Sequence, residues 1–223
     1  MSATITAAVM APGAEQMASL RERKKADTRI RLSVAAVELL VTEGAEGATV
    51  AAIAERAGVS ARTFHNYFAH REDAFVHFLQ EQVAEWVRQV ERAPADLNPI
   101  AALHRIIREL YRRSSDDIDA AENLLVAGEQ IGLMLSAEAR TCVAEELLEP
   151  LYEAVGRRSP QMSAVRVRVL VDLSLAAGAS VVRHHPRGAG HDSTGHHAPE
   201  QGAAESYLDE AFGLLENGSG GLS

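Results

Sequence analysis

Residues 49–68 read TVAAIAERAGVSARTFHNYF, and the order of residue types in that stretch decides the fold. Ala51 to Ala57 is rich in good helix formers, with Ile53 and Ala54 placed to pack inward, and Gly58 stands where a helix ends in left-handed backbone. Val59 can plug the corner. Ser60 is a natural N-cap for a second helix running from Ala61 to Tyr67, because its hydroxyl can accept a bond from an otherwise unpaired N–H near Thr63. Helix, glycine turn, apolar plug and cap make a helix-turn-helix.

On the second helix Phe64 and Phe68 lie four residues apart and share a face, which leaves Arg62, Thr63, His65, Asn66 and Tyr67 to the sides and front. These types suit DNA. Arg can bond guanine bidentately, Asn can do the same with adenine, and Thr or Tyr can reach phosphates or a thymine methyl. An ordinary αα corner with the same residues facing water is the alternative.

The chain has 223 residues, 47% of them hydrophobic, with few aromatics. That is length enough for a sizeable core, in a composition suited to an all-α protein built on Ala, Leu and Val. Its one cysteine, Cys142, excludes an internal disulfide and fits a reducing cytoplasm, with core filler favoured over a redox switch. The net charge of −9 is unevenly placed. Leu20 to Phe75 holds nine Lys or Arg against eight Asp or Glu, a balance of +1, so the remainder carries −10. Arg21, Arg23, Lys24, Lys25, Arg29 and Arg31 fall close together, and Lys24 and Lys25 are the only lysines in the chain. Such an arm can bind phosphates while the acidic remainder keeps off DNA, although a solvated helix face would look the same.

In chain order, residues 1–18 carry Ala, Pro and Gly without a sustained period or a basic n-region, and read as a disordered tail rather than a secretory signal. A first helix is predicted from Glu22 to Glu43, with Ile30, Val34, Val37 and Val41 at helical spacing and Gly44 as its stop. Thr49 can cap the next helix and, at that N-terminus, hold a phosphate. After Phe68 a short polar link leads into a helix from Arg71 to Arg92, striped by Phe75, Phe78, Leu79, Gln82, Val83, Trp86 and Val90. This is the connecting rod between the reading unit and the rest.

The pattern Ile53-Ala54, Ala57-Gly58-Val59-Ser60, Thr63-Phe64, Tyr67-Phe68 and Arg71-Glu72-Asp73, behind a basic first helix, resembles the N-terminal DNA-binding domain of the TetR family of transcriptional repressors. The resemblance spans about Arg21 to Phe78. The chain departs from the family at His65, where an aromatic Tyr or Phe is usual, and at Arg71, where Lys is common. It implies an all-α fold: a three-helix DNA-binding domain over 19–70, joined by the long helix to an effector-binding and dimerisation domain over 71–217, with a flexible tail at 218–223. The expected DNA contacts are Lys24, Lys25, Thr49, Ser60, Arg62, Thr63, His65, Asn66, Tyr67 and Arg71. The partners are a double-stranded operator, a small-molecule effector and a second copy of the chain.

Further helices are predicted at Pro99–Ser114, Asp117–Leu135, Ala137–Arg158, Ser163–His185 and Ala203–Glu216. Their stripes include Leu103, Ile107, Leu110 and Tyr111, and Val143, Leu147, Leu151 and Val155. Inward polar or aromatic residues of the middle helices, Trp86, His104, Tyr111, Asn123, Glu129, Gln130, Met134 and Tyr152, are the candidates for lining an effector cavity. Aliphatic character around Leu124 to Leu135 favours an apolar or amphipathic ligand such as an acyl chain. The run VLVDLSLAAGASVV is too short and too closely charged to span a membrane. Its small residues admit a close helix, and Leu173, Ala177 and Val181, with Tyr207, Leu208, Ala211, Phe212 and Leu215, form the expected dimer face, packing within one protomer being the alternative.

Between those helices, 186–202 is Gly-rich. His184, His185, His191, His196, His197 and Asp192 sit in or beside it without fixed geometry, so a flexible loop is preferred to a metal site. No phosphate loop, Ser-His-Asp arrangement or HExxH helix is present, so neither a cofactor nor catalysis is expected. A helical adaptor or an enzyme without DNA binding is the contrasting class.

Overall fold

The computed structural model describes the backbone of residues 12–184 and 201–219, and side chains over 20–184 and 205–217. Within these residues the chain forms α1 (Pro12–Gly47), α2 (Val50–Arg56), α3 (Ala61–His65), α4 (Arg71–Arg92), α5 (Pro99–Arg112), α6 (Ala121–Met134), α7 (Ala137–Arg158), α8 (Ala164–His184) and α9 (Gln201–Ser219). None of these helices is long and apolar enough to cross a membrane. Most of the loop expected at 186–202, with its histidines from His185 to His197, and residues 1–11 and 220–223 of the tails expected at 1–18 and 218–223 lie outside the described residues, while 218–219 belong to α9.

Two cores are packed end to end, and α4 belongs to both. Its first turns put Ala74, Phe75 and Phe78 into a head core with Leu32, Ala36 and Leu40 of α1, Ile53 of α2 and Phe64 of α3. Its later turns put Val83 and Val90 into a body core with Leu103, Ile107 and Tyr111 of α5, Leu151 and Val155 of α7 and Val167 and Val171 of α8. Helix α6 also reaches the head, where Ala127 and Ile131 are buried. A domain boundary at 70/71 therefore cuts through one continuous packing unit.

Several expectations are corrected here. α1 begins at Pro12, so residues 12–18, read as tail, are helical; Pro suits the first turn because its missing N–H has no partner there. The helical backbone breaks at Gly44, whose φ of 71° only glycine takes cheaply. The buried face of α1 is Leu32, Ser33, Ala36, Val37 and Leu40, while Ile30 is 41% exposed. Val37 of the expected stripe is buried and Val34 and Val41 pack partly against the head core, so of that stripe Ile30 alone turns outward.

At the other end of the chain α9 folds back on its own protomer. Leu208 and Phe212 are buried in the body core together with Val181, so these three members of the expected dimer face are occupied internally. Phe212 stacks on His104 at 4.4 Å. Asp209 pairs with Arg108, and Arg112 donates to both carboxylate oxygens of Glu205 at 3.3 and 3.2 Å. His104 Nε2 lies 3.0 Å from Asp209 Oδ1 but is not aligned with it as a hydrogen bond. Burial, then Arg108, hold the His104 pKa below its ordinary value.

The tightest crossing in the body is between α5 and α8. A Cβ built on Gly178 would stand 2.9 Å from Ile107 Cγ2, and that methyl is on a β-branched side chain with little freedom to move. Gly178→Ala is therefore expected to destabilise the protein by about 1–3 kcal/mol, read from urea unfolding. A change under about 0.5 kcal/mol would show that the helices part without strain.

Candidate DNA-binding site

The reading unit is assembled by backbone hydrogen bonds that its sequence dictates. Thr49 caps α2, its hydroxyl oxygen accepting from the Ala52 N–H at 3.2 Å. The helix ends in two nested bonds, Gly58 N–H to Glu55 C=O at 3.0 Å and Val59 N–H to Ala54 C=O at 2.9 Å. That is a Schellman ending, which needs left-handed backbone at the residue after the cap. Gly58 supplies it at φ 69°. Ser60 then starts α3, its Oγ accepting from Thr63 N–H at 3.1 Å. These four elements set the angle between α2 and α3 before any core contact is counted.

Phe64 anchors α3, fully buried, with Phe68 tilted against it at 5.7 Å between ring centroids. α3 is shorter than expected, ending at His65, with Asn66 as its C-cap and Tyr67 in the following turn. Arg62, His65 and Asn66 are exposed, and Thr63 and Tyr67 half-buried. Of the five residues expected to face DNA, Arg62, Thr63 and His65 lie on α3, and Asn66 and Tyr67 just past its end, with Tyr67 packed partly against the head core. Thr49 and Ser60 are exposed on the same unit, and because Thr49 uses its oxygen as acceptor, its hydroxyl proton is free to donate outward.

The basic residues divide by what holds them. Arg56 is tied to Glu38 at 3.3 Å and to Glu43 at 3.8 Å. Arg29 lies over the Phe68 ring, 5.0 Å from its centroid, and His77 stands on the same ring at 5.7 Å. Burial and the Arg29 charge push the His77 pKa down. Arg71 has turned inward: its guanidinium donates to the carbonyls of Ala45 and Ala48 and pairs with Glu72 at 3.0 Å. It fastens the α1–α2 corner to the start of α4, a task the sequence did not reveal. Lys24, Lys25 and Arg62 stay exposed and make no ion pair among the described residues.

The eight candidates for an effector cavity are not brought together. Tyr111 and Tyr152 are buried, Tyr152 donating to Asp172 at 2.7 Å with its pKa raised to about 12 by burial and that bond. Asn123 donates to the carbonyls of Ser115 and Asp117, both at 2.9 Å, and so pins the α5–α6 connection. Glu129 is exposed and ion-paired to Arg183 at 3.2 Å. Trp86 packs on the body core and Met134 on the head core, His104 faces α9, and Gln130 is half-buried on α6.

A capped helix-turn-helix on a three-helix head, joined through a shared long helix to a helical body, is an arrangement suited to binding DNA. Comparison with known proteins shows what the chain resembles. Residues 32–77 match the family of bacterial regulatory proteins called tetR family. The HTH-type transcriptional regulator TcmR of Streptomyces glaucescens is 28% identical over 174 residues, 74% of this chain and 75% of that protein. An uncharacterized HTH-type transcriptional regulator of Mycobacterium tuberculosis is 27% identical over 150 residues, covering 66% and 69%. Among solved structures, FadR from Bacillus subtilis in complex with stearoyl-CoA superposes with a TM-score of 0.60 at 15% identity, over 83% of this chain and 96% of that one. Thermus thermophilus FadR in complex with lauroyl-CoA gives 0.52 at 22%, over 84% and 92%. The head of the chain is thus similar to the DNA-binding part of the tetR family, and the whole chain is similar in sequence to HTH-type transcriptional regulators.

The inward turn of Arg71 generates a prediction. Arg71→Ala strands two half-buried carbonyls and is expected to lower stability by roughly 1–3 kcal/mol, measured by thermal unfolding without DNA. An unchanged melting point would return Arg71 to a purely DNA-facing role.

Proposed function

We propose that the protein is a homodimeric repressor which binds a near-palindromic operator and is released by a small amphipathic effector. The observation that carries this reading is the polar row of Arg62, Thr63 and His65 on α3 and Asn66 at its C-cap, on a helix fixed at its start by Ser60, with Tyr67 half-buried in the turn that follows. Arg62, Thr63 and Asn66 are assigned to base edges, and Thr49, Ser60, His65, Tyr67, Lys24 and Lys25 to the backbone of the duplex. Arg71 is assigned to the protein first, with its remaining donors toward a phosphate.

Two-fold pairing is supported by apolar surface that the protomer leaves uncovered. Val165, Val169 and Leu173 follow one another at four-residue spacing on α8 and are 70%, 50% and 49% exposed, and Tyr207 and Leu214 of α9 are 50% and 70% exposed. Ala177, Ala211 and Leu215 are half-buried beside them. This is the stripe a second copy would cover, leaving Leu208, Phe212 and Val181 as its inner support. A two-fold dimer then sets the half-sites about one helical turn apart.

The proposed effector carries an apolar chain, in the class of an acyl thioester. Support comes from the aliphatic body core and from the stearoyl-CoA and lauroyl-CoA held by the two FadR proteins of similar fold. The chain is read as a non-enzymatic regulator working in the cytoplasm beside the DNA it binds.

Two outcomes are expected. In a gel-shift titration at about 150 mM salt with non-specific competitor, the protein retains DNA from upstream of its own coding region as a dimer, and long-chain acyl-CoA releases it; failure with that DNA and with randomised sequences would reject the regulator. Arg62→Ala weakens specific binding by roughly 1–3 kcal/mol and relaxes preference at one base pair per half-site. Unaltered sequence preference would remove Arg62 from the base-reading set.

A further inference from the structure

The body carries a second feature suited to binding, on its outer surface at the far end of the connecting helix. A groove of about 230 Å³ is lined by Gln89, Arg92 and Ala93 from the end of α4 and by Ala102, Arg105 and Ile106 from α5. Both of its charged residues are arginines, and no carboxylate lines it. Neither Arg92 nor Arg105 makes a hydrogen bond or ion pair among the described residues; Arg92 acts on Glu85 only through its field. In contrast Arg88, Arg108, Arg112, Arg157 and Arg158 are all held by carboxylates or carbonyls. In a body whose charge is strongly negative, two neighbouring unpartnered guanidiniums over a small apolar floor form a local anion site.

The groove is also preformed. Arg158 of α7 donates to the carbonyls of Ala93, Pro94 and Leu97, which fixes the α4–α5 connection at its edge. Asn98 caps α5, accepting from the Ala101 N–H at 2.8 Å. Both walls are thus set by contacts that do not involve Arg92 or Arg105. A second groove of about 380 Å³ continues along α5, sharing Arg105 and adding Ala101, His104, Arg108, Glu109 and Arg112. Operator DNA is not the anion in question: α4 carries the groove some 20 residues from its head end, roughly 30 Å at 1.5 Å per residue.

We propose that this groove seats the phosphate-bearing end of an amphipathic small molecule, with Arg92 and Arg105 forking onto phosphate oxygens while Ala93, Ala102 and Ile106 meet its carbon skeleton. The assignment rests on the reading of the chain as an effector-responsive regulator and gives that effector its polar half. Because Arg92 belongs to α4 and Arg105 to α5, an anion held by both bridges the two helices at the surface of the body.

Isothermal titration calorimetry on the full-length protein at low salt tests this with coenzyme A, pantetheine, inorganic phosphate and dodecanoate as probes. Coenzyme A is expected to bind, pantetheine to bind at least tenfold more weakly, and Arg92→Gln and Arg105→Gln each to weaken coenzyme A at least fivefold with unchanged melting temperature. Arg105→Lys recovers part of the loss. Absence of coenzyme A binding, equal binding by pantetheine, or binding unaffected by both Gln variants overturns the site. Inorganic phosphate binding as tightly as coenzyme A overturns the small-molecule assignment in favour of a free-phosphate seat, and dodecanoate binding lost in the Gln variants replaces phosphate by carboxylate and equally overturns it. Operator release is read separately in the gel shift: coenzyme A bound through the arginines without release by any acyl-CoA leaves the groove standing and removes the effector reading.

Discussion

Everything in this molecule depends on one helix being buried at both ends in different cores. Over its 22 residues, α4 commits Ala74, Phe75 and Phe78 to the head and Val83 and Val90 to the body. A fully buried Phe is worth roughly 1.5–3 kcal/mol, so the head end cannot detach for less than several such contacts. What remains available is a tilt of the rod as a unit. At 1.5 Å per residue the helix is roughly 33 Å long, so a tilt of about 5° displaces one end by about 3 Å relative to the other. That is the scale of a hydrogen bond and, on the proposed function, the scale on which α3 falls in or out of register with base edges.

The second constraint is where charge is left unspent. On the head, cations that buttress the fold are satisfied by the fold itself: Arg56 by Glu38 and Glu43, Arg29 by the Phe68 ring, Arg71 by two carbonyls. Lys24, Lys25 and Arg62 are spared such partners and stay in water. An unpaired exposed cation costs the fold almost nothing, since surface pairs are worth about 0–1 kcal/mol. A phosphate can therefore engage these side chains without first breaking a bond, and the same reasoning applies to Arg92 and Arg105 at the far end of α4.

How much of this was legible depended on whether a feature is local. The Ser60 cap on Thr63, the glycine turn and the inward Phe64 and Phe68 all follow from residues within ten positions of one another, and each stands where the sequence put it. The ends of α4 and α7 were legible for the same reason. Arg71 was not, because its carbonyl partners lie 23 and 26 residues away in a corner whose shape depends on Gly44. Asn123 looked like a cavity residue for want of any sign that a loop before it had carbonyls to satisfy.

The apolar stripe of α9 shows a deeper limit of periodicity. Leu208, Ala211, Phe212 and Leu215 recur as they would for any buried helix face, and the period is the same whether the covering surface is another helix of one protomer or a second copy. On the α9 stripe the edges carry polar complementarity. Asp209 and Glu205 flank that stripe and meet Arg108 and Arg112 of α5, four residues apart on both helices, so the pairs form a matched ladder within the protomer. The face left over, Val165, Val169 and Leu173 with Tyr207 and Leu214, stays exposed, although Arg168 and Asp172 beside it meet Glu149 and Tyr152 of α7. Internal polar pairs accompany both stripes, so it is exposure, 70%, 50% and 49% at Val165, Val169 and Leu173, that marks the surface on which a second protomer is to be sought.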